Sequence, residues 1–255
     1  MKLTLAEKLF SRMNKELLIN ELNQKLKEIS SKINVNYRIV GFNEKNWIKI
    51  EINGEDVEVF QELIKLKFGL AKTDLKELRI GDICKGFIVN SGKIDYGLYV
   101  DIGLIYPISN NAFYPLSTAR SQLAYGKQLP MKEIINMYCL YDGFPLKVRI
   151  TFIDYLRGNV EVELLGSQED SLKNMINSYF ERILIFDVFE KQILKVLRLT
   201  DVEKYIASIE QLSLSTFMLV CKLGINSQDI ISRINSQLKN SRIYALKPSI
   251  NKFKV

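Results

Sequence analysis

The chain carries few of the residues with which enzymes usually do chemistry. Its 255 residues include no histidine, which excludes Ser-His-Asp and Cys-His catalytic pairs, His-ligated zinc and a histidine pH switch. Asp95, Asp101 and Asp154 are carboxylates that could gather around a magnesium ion, although aspartates scattered at turns are the commoner explanation. We therefore expect no catalytic residue, no metal and no cofactor, so that the chain is not an enzyme.

The three cysteines, Cys84, Cys139 and Cys221, form no C-x-x-C pair. Their odd number and wide spacing argue against a disulfide framework and favour a reducing compartment. We interpret Cys84 and Cys221, which lie in apolar runs, as small buried residues rather than reactive thiols. The sequence has no run of eighteen apolar residues that could cross a bilayer and no signal-peptide pattern. We expect a cytoplasmic protein with no membrane partner.

One polar segment, from Arg120 to Lys127, has a composition that suits a phosphate or protein contact. Lys127 follows a glycine, but the second glycine and the spacing of a phosphate-binding P-loop are missing. The alternative is a solvated loop with one helical turn. Arg120 and Lys127 are therefore candidate binding residues without a recognisable phosphate motif.

The most specific stretch begins with the run Gly81–Val89 and continues with Asp95–Gly103. In the second run, Tyr96 and Tyr99 fill an aromatic-Gly-x-aromatic pattern that ends in Val-x-hydrophobic-Gly. Two further strand-like runs, Val148–Asp154 and Val160–Leu164, follow at the end of the same region. This combination resembles the RNA-binding domain named after ribosomal protein S-one, which is an OB-type barrel. The resemblance covers about a third of the chain.

The resemblance implies a surface that binds RNA. In that family the two aromatic residues and the polar residues of the closing turn face RNA, and stacking on an aromatic ring contributes roughly 1–3 kcal/mol per base. Nearby lysine and arginine side chains then bind phosphates. Carried over by position, the candidate nucleic-acid-binding residues are Tyr96, Tyr99 and Asp154. We add the nearby Lys85, Phe87, Arg149 and Arg157 and, from the polar segment of the insertion, Arg120 and Lys127.

The sequence also departs from that family. Members often place a histidine after the third strand, where this chain offers Tyr106-Pro107 or Tyr114-Pro115. The net charge of +7 comes from 36 basic and 29 acidic residues, but residues 75–166 hold ten basic and nine acidic residues. A dedicated nucleic-acid barrel is normally more basic than this. Tyr96 and Tyr99 are therefore either base-stacking residues or part of the barrel core.

Three further segments carry a second resemblance: Gly54-Glu55-Asp56, the segment that runs from Pro115 to Lys127, and Val220–Gly224. Through them nearly the whole chain resembles an archaeal family of unknown function. This resemblance implies no particular activity.

The regions on either side of the barrel predict two α/β units. Residues 1–74 read as βαββα if the run from Leu3 to Phe10 opens as a strand, although that run also suits a helix. Residues 167–255 read as βαββαβ after a first helix. Both orders are typical of ferredoxin-like, split βαβ units. The predicted fold class is therefore α+β, with a five-stranded OB-type barrel at 75–166, interrupted by an insertion at 107–142, between two ferredoxin-like units.

Two functions fit these features. The first is a non-enzymatic factor that binds RNA or a ribonucleoprotein through the barrel. The alternative is a protein-interaction subunit that docks on a large machine such as RNA polymerase or the ribosome, with little direct RNA contact. The nearly neutral barrel and the long insertion favour the alternative, whereas the aromatic pair favours RNA.

Overall fold

The N-terminal unit is a three-stranded antiparallel sheet with two helices on one face. The structure, a computed structural model, describes residues 1–10 and 14–249. The elements of this unit are β1 (Lys2–Lys8), α1 (Lys15–Ser30), β2 (Val35–Phe42), β3 (Trp47–Gly54) and α2 (Val57–Lys67). Their strand order is β1-β3-β2. The opening run is thus a strand, as the ferredoxin-like interpretation required.

Alternation along the strands separates the two faces of this sheet. Ile48, Ile50 and Ile52 on β3 pack in one core with α1 and α2. The chain that leaves α2 then returns beside β1, where the Ala6 amide donates to the Gly69 carbonyl at 2.9 Å. A short bridge on this side of β1 thus takes the place that the fourth strand has in a complete split βαβ unit.

The middle of the chain forms a closed five-stranded barrel, as predicted. Its strands are β4 (Ile83–Val89), β5 (Gly97–Asp101), β6 (Ala112–Pro115), β7 (Pro145–Asp154) and β8 (Asn159–Leu164). The order around the barrel is β4-β5-β6-β8-β7, and β6 pairs with β8 in parallel. This is the arrangement of an OB-type barrel. Four of the strands had been predicted individually, whereas β6 is only four residues long and had not.

The insertion between β6 and β7 belongs to the core. It contains α3 (Leu116–Leu123) and α4 (Met131–Tyr138), and α5 (Gly166–Ile176) follows the barrel. Gln122 joins α3 to the barrel, because its side chain both donates to the carbonyl and accepts from the amide of Leu164, each at 2.9 Å. The apolar residues of α3, α4 and α5 share one core with the barrel strands. The insertion is therefore a packing element between the barrel and the C-terminal unit.

The C-terminal unit has the complete βαββαβ order. Its elements are β9 (Arg182–Phe186), α6 (Glu190–Leu199), β10 (Ile206–Ser213), β11 (Thr216–Cys221), α7 (Ser227–Ile234) and β12 (Arg242–Leu246). The strand order is β10-β11-β9-β12, and every pair is antiparallel. One face packs on α6 and α7, and the other packs on the barrel and insertion. All residues of β11 are buried, so the centre of this sheet is closed to ligands on both faces.

Candidate nucleic-acid interface

The outer surface of the barrel has a covered part and an open part. Outward-facing residues of β4 and of the end of β5 contact the N-terminal unit. Outward-facing residues of β5 and β6 further along remain accessible to solvent. Since strands 2 and 3 of an OB-type barrel are the ones that commonly bind oligonucleotides, the open part is the candidate site. The sequence-predicted residues divide between the two parts.

Phe87 and Lys85 lie in the covered part. The Phe87 ring is fully buried, with ring centroids 5.7 Å from Trp47 and 5.3 Å from Phe10, both edge-on. The Lys85 ammonium pairs with the Glu7 carboxylate. Both side chains do point away from the barrel axis, but the N-terminal unit occupies the space that RNA would need. The structure therefore removes Phe87 and Lys85 from the candidate contact residues.

Asp101 also belongs to the interface between the barrel and the N-terminal unit. Its buried carboxylate accepts hydrogen bonds from the Lys8 ammonium at 2.7 Å and from the Trp47 indole nitrogen at 3.0 Å, and the Lys45 ammonium lies 3.6 Å away. Its charge is thus already neutralised. Within residues 1–10 and 14–249, no group of three or more Cys, Asp or Glu side chains could hold a metal ion.

The open part carries a group of three rings, Tyr96, Tyr99 and Phe113, which we call the aromatic cluster. The centroid of the Phe113 ring lies 5.7 Å from each tyrosine ring, at tilts of 54° and 52°. Tyr96 is 62% exposed, and Tyr99 and Phe113 are half-buried. Phe113 was not predicted, because β6 itself was missed; the alternation Ala112-Phe113-Tyr114-Pro115 is the signal that could have found it.

Gly97 supports the aromatic cluster from below. A Cβ atom at this position would lie 2.4 Å from a ring carbon of Phe113, so the ring rests directly on the β5 backbone. The next residue on β6, Tyr114, points inward, and its hydroxyl donates to Gln122 at 3.1 Å. The position of Phe113 is thus fixed by Gly97 on β5 and by the buried Tyr114 next to it on β6.

The Tyr99 hydroxyl of the cluster stays protonated near neutral pH. Desolvation raises the pKa of Tyr99 above its usual value of 10.0, and the neighbouring Tyr96 hydroxyl raises it further. A neutral phenol presents its π-face without a repelling charge and can donate a hydrogen bond. The cluster is therefore suited to stack on nucleobases and to bond their edges.

The turn between β7 and β8 borders the open part. The Asp154 carboxylate accepts from the amides of Leu156 and Arg157 at 3.0 and 3.1 Å, so this aspartate shapes the turn. The Arg157 side chain is 82% exposed. The Asn110 amide nitrogen donates to the Gly158 carbonyl at 3.1 Å, which joins the turn to the segment leading into β6. The Arg157 Nε lies 4.0 Å from the Asp154 carboxylate, and Arg157 is the cation that this turn presents to solvent.

The remaining predicted residues are less well placed. Arg149 faces outward from β7 but pairs with Glu163 at 3.3 Å. The Arg120 Nε donates to the Leu129 carbonyl at 2.8 Å, which fixes the connection between α3 and α4. Lys127 is exposed in that same connection. Arg120 and Lys127 thus form a second group, and the structure assigns Arg120 a structural bond.

The cysteines are not reactive thiols. Cys139 and Cys221 are buried, and Cys84 is half-buried rather than fully buried as predicted. Burial raises the pKa of the Cys84 and Cys221 thiols to about 11 and that of Cys139 to about 12. A nucleophilic cysteine needs the opposite shift.

Two family models match the sequence over most of its length. They are the DUF2110 N-terminal domain, over residues 2–74, and the DUF2110 central domain, over residues 78–176. The chain belongs to the DUF2110 family. This confirms the prediction of a family of unknown function. No curated protein sequence matches the chain significantly.

Several solved structures resemble this DUF2110 protein. The a/eIF2alpha–aDim2p–rRNA complex from Pyrococcus horikoshii matches with 14% identity and a TM-score of 0.27, covering 49% of this chain and 60% of that chain. The K3L protein of vaccinia virus matches with 23% identity and a TM-score of 0.23, covering 34% and 89%. The alpha subunit of aIF2 from Pyrococcus abyssi matches with 9% identity and a TM-score of 0.26, covering 68% and 98%.

Within the described residues, no helix is both long and apolar enough to span a membrane.

Proposed function

We propose that this DUF2110 protein is a non-enzymatic factor that binds single-stranded RNA on the outer face of β5 and β6. The observation that carries the proposal is the aromatic cluster, three adjacent rings that face solvent on the second and third strands of an OB-type barrel. Single-stranded RNA is the favoured ligand because only unpaired bases expose the faces on which rings stack. A cytoplasmic location is part of the same proposal.

Stacking rather than charge dominates this contact. Each base that stacks on an aromatic side chain gains roughly 1–3 kcal/mol. On the strand beside β6, Glu161 lies opposite Phe113, so the immediate surroundings of the cluster are not strongly positive. Arg157 supplies a phosphate contact at the edge. We therefore expect a barrel site that binds a few nucleotides with a shallow salt dependence.

Fluorescence anisotropy with labelled single-stranded RNA tests the proposal. We expect the Tyr96→Ala/Tyr99→Ala double variant to bind at least about 30-fold more weakly, which corresponds to the lower end of two stacking contributions. Tyr179→Ala is the control, because Tyr179 is also an exposed tyrosine but lies beyond α5. DNA of the same sequence and an RNA duplex serve as competitors. Undetectable binding, or binding unchanged in the double variant, would refute the proposal.

A second candidate function, docking on a protein of a larger assembly, is favoured by one apolar surface. Tyr106, Ile108, Tyr155 and Leu156 are all exposed, and Leu156 is 95% exposed. The Tyr155 hydroxyl donates to the Leu78 carbonyl at 3.0 Å, which holds the turn against the chain entering the barrel. Contiguous exposed apolar residues of this kind commonly mark an interaction site.

Co-purification of the native protein, with and without nuclease, separates the two functions. A complex that survives nuclease and is lost in a Leu156→Asp variant supports protein docking through this surface. Leu199→Asp is the control, since Leu199 is also exposed but lies on α6 of the C-terminal unit. A complex that disappears with nuclease supports RNA binding alone.

A further inference from the structure

The N-terminal sheet leaves most of one face uncovered. The helices α1 and α2 pack on the other face. The barrel covers only the end of this face, at Ala6 and Trp47. The uncovered remainder, which we call the open sheet face, consists of Lys2, Thr4, Asn36, Arg38, Val40, Lys49, Glu51 and Asn53.

The open sheet face is positively charged. Lys2 and Arg38 both contact the single carboxylate of Glu51, at 3.4 and 2.7 Å. Lys49 is exposed and forms no ion pair within the described part of the chain. The face therefore carries three cations and one acidic group, of which Lys2 and Arg38 share Glu51, and the amides of Asn36 and Asn53 add polar donors. A groove of about 460 Å³ lies over the far end of this face.

The open sheet face and the aromatic cluster are joined by one buried contact between the N-terminal unit and the barrel. Two residues along the chain from Tyr99 and Phe113 lie Asp101, the last residue of β5, and Asn111, which directly precedes β6. They contact the N-terminal unit directly, since the Lys45 ammonium lies 3.0 Å from the Asn111 side-chain oxygen and the Trp47 indole lies 3.0 Å from Asp101.

From Trp47 the next outward positions on β3 are Lys49 and Glu51. Each pair of residues advances about 6.6 Å along a strand. Counted along the strands through the buried contact of Trp47 with Asp101, the aromatic cluster and the row of Lys2, Glu51 and Arg38 are about 25 Å apart, which is the length of several nucleotides.

We propose that the open sheet face binds the sugar-phosphate backbone of the same single strand that stacks on the aromatic cluster. This inference rests on the proposed function. The face has no aromatic side chain, so it offers no stacking, and its cations and amides suit phosphate and sugar groups irrespective of base. The barrel then determines where the RNA bases stack. The N-terminal unit increases the affinity for longer RNA and makes that affinity more dependent on salt.

Comparing RNA of two lengths tests the inference. We expect the Lys2→Gln/Arg38→Gln/Lys49→Gln variant to bind a 16-nucleotide strand roughly tenfold to a hundredfold more weakly near 0.1 M salt. The slope of log affinity against log salt should fall by about 2, because each lost phosphate contact accounts for about 0.7 on single strands. Binding of a 4-nucleotide strand should stay within about twofold, since the barrel alone covers it. Glu51→Gln should bind the long strand more tightly.

The matched control is Lys195→Gln/Arg198→Gln/Lys239→Gln, which removes the same charge from exposed positions of the C-terminal unit. A loss equal to that of the control, or wild-type protein that binds both lengths equally, overturns the inference while leaving RNA binding by the barrel intact. Wild-type protein that binds neither length refutes the proposed function itself.

Discussion

The outer face of the barrel on β4 and the outer face on β5–β6 carry similar residues, but the first is buried by another unit and the second is open to solvent. Each presents a phenylalanine that points away from the barrel axis, Phe87 on one and Phe113 on the other. Phe87 is fully buried under Trp47 and Phe10, whereas Phe113 lies between two tyrosines at the surface. The same alternation of strand residues thus makes an interface between units in one place and an open ring cluster in the other.

The difference lies in what the N-terminal unit supplies. Toward β4 it brings aromatic rings and the carboxylate of Glu7, which complements Lys85 and also accepts from the Leu214 amide of the C-terminal unit at 3.2 Å. Toward the aromatic cluster, the described residues of this unit bring no such complement. An outward aromatic residue on a barrel strand is therefore evidence for a binding site only where no neighbouring unit provides matching groups.

The largest expected effect is the loss of folding stability when the buried phenylalanine of the covered face is removed. Phe87→Ala should lower the free energy of unfolding by about 3–5 kcal/mol, because it empties a buried site between two units. Phe113→Ala should cost less, since solvent already reaches part of its ring, yet it should weaken RNA binding. Denaturant unfolding of both variants measures the difference. Equal destabilisation would contradict the contrast between the faces.

A second test removes the charge complement of the covered face. Lys85→Ala should cost about 3 kcal/mol at pH 7, because it leaves the buried Glu7 carboxylate unpaired. Burial raises the pKa of Glu7 above its usual 4.5, so the folded state binds a proton more tightly than the unfolded chain. Stability linked to Glu7 is therefore present in acid and falls as pH rises from 4.5 through the folded pKa.

The penalty of Lys85→Ala should consequently shrink as pH is lowered toward 4.5, where Glu7 becomes neutral. Unfolding free energies measured between pH 4.5 and 8 show this trend. A Glu7→Gln/Lys85→Met variant, which has no buried charge at this place, is the control and should lack it. A penalty that is independent of pH would mean that Glu7 is not the group left unpaired.

More of the fold than of the candidate RNA-binding site could be predicted from the sequence. Strand patterns and glycines at the beginning and end of the barrel predict β4, β5, β7 and β8. The periodicity of apolar residues predicts the βαββαβ order of the C-terminal region. The boundaries 1–74, 75–166 and 167–255 remain a prediction. The short β6 lies within a long connection, and its four residues give too few alternations to distinguish it from a loop.

Two features of the site depend on contacts that periodicity does not encode. Phe113 could join the site only once β6 was paired with β5. Lys85 and Phe87 left it because Glu7 and Trp47, many residues away, pack against them. Alternation distinguishes inward from outward positions, but it does not say which outward positions another unit covers. Tyr96, Tyr99 and Arg157 stay predictions of RNA contacts, now with a defined geometry.

A smaller effect is expected from the support beneath the open face. Gly97→Ala places a Cβ where the Phe113 ring now lies and 2.6 Å from the Tyr114 carbonyl oxygen, so both the ring and the β6 backbone must move and the fold should lose about 1–3 kcal/mol. RNA affinity should fall with it, since the cluster no longer holds its spacing. Gly166→Ala is the control, because a Cβ there meets open space. Unfolding and anisotropy measurements that show no change would mean that the Phe113 position is not important.

The smallest effect should come from the edge of the open face. Arg157→Ala removes an exposed cation and should leave stability unchanged, while RNA affinity near 0.1 M salt falls about fivefold and the salt slope falls by about 0.7, as for one phosphate contact. Arg149→Ala should change affinity less, because Arg149 lies closer to its acidic partner Glu163, at 3.3 Å, than Arg157 lies to Asp154, at 4.0 Å, and because β7 adjoins the covered strand β4. Salt titrations of both variants measure this order. A larger effect at Arg149 would indicate that the RNA lies across β7 and β8 rather than across β5 and β6.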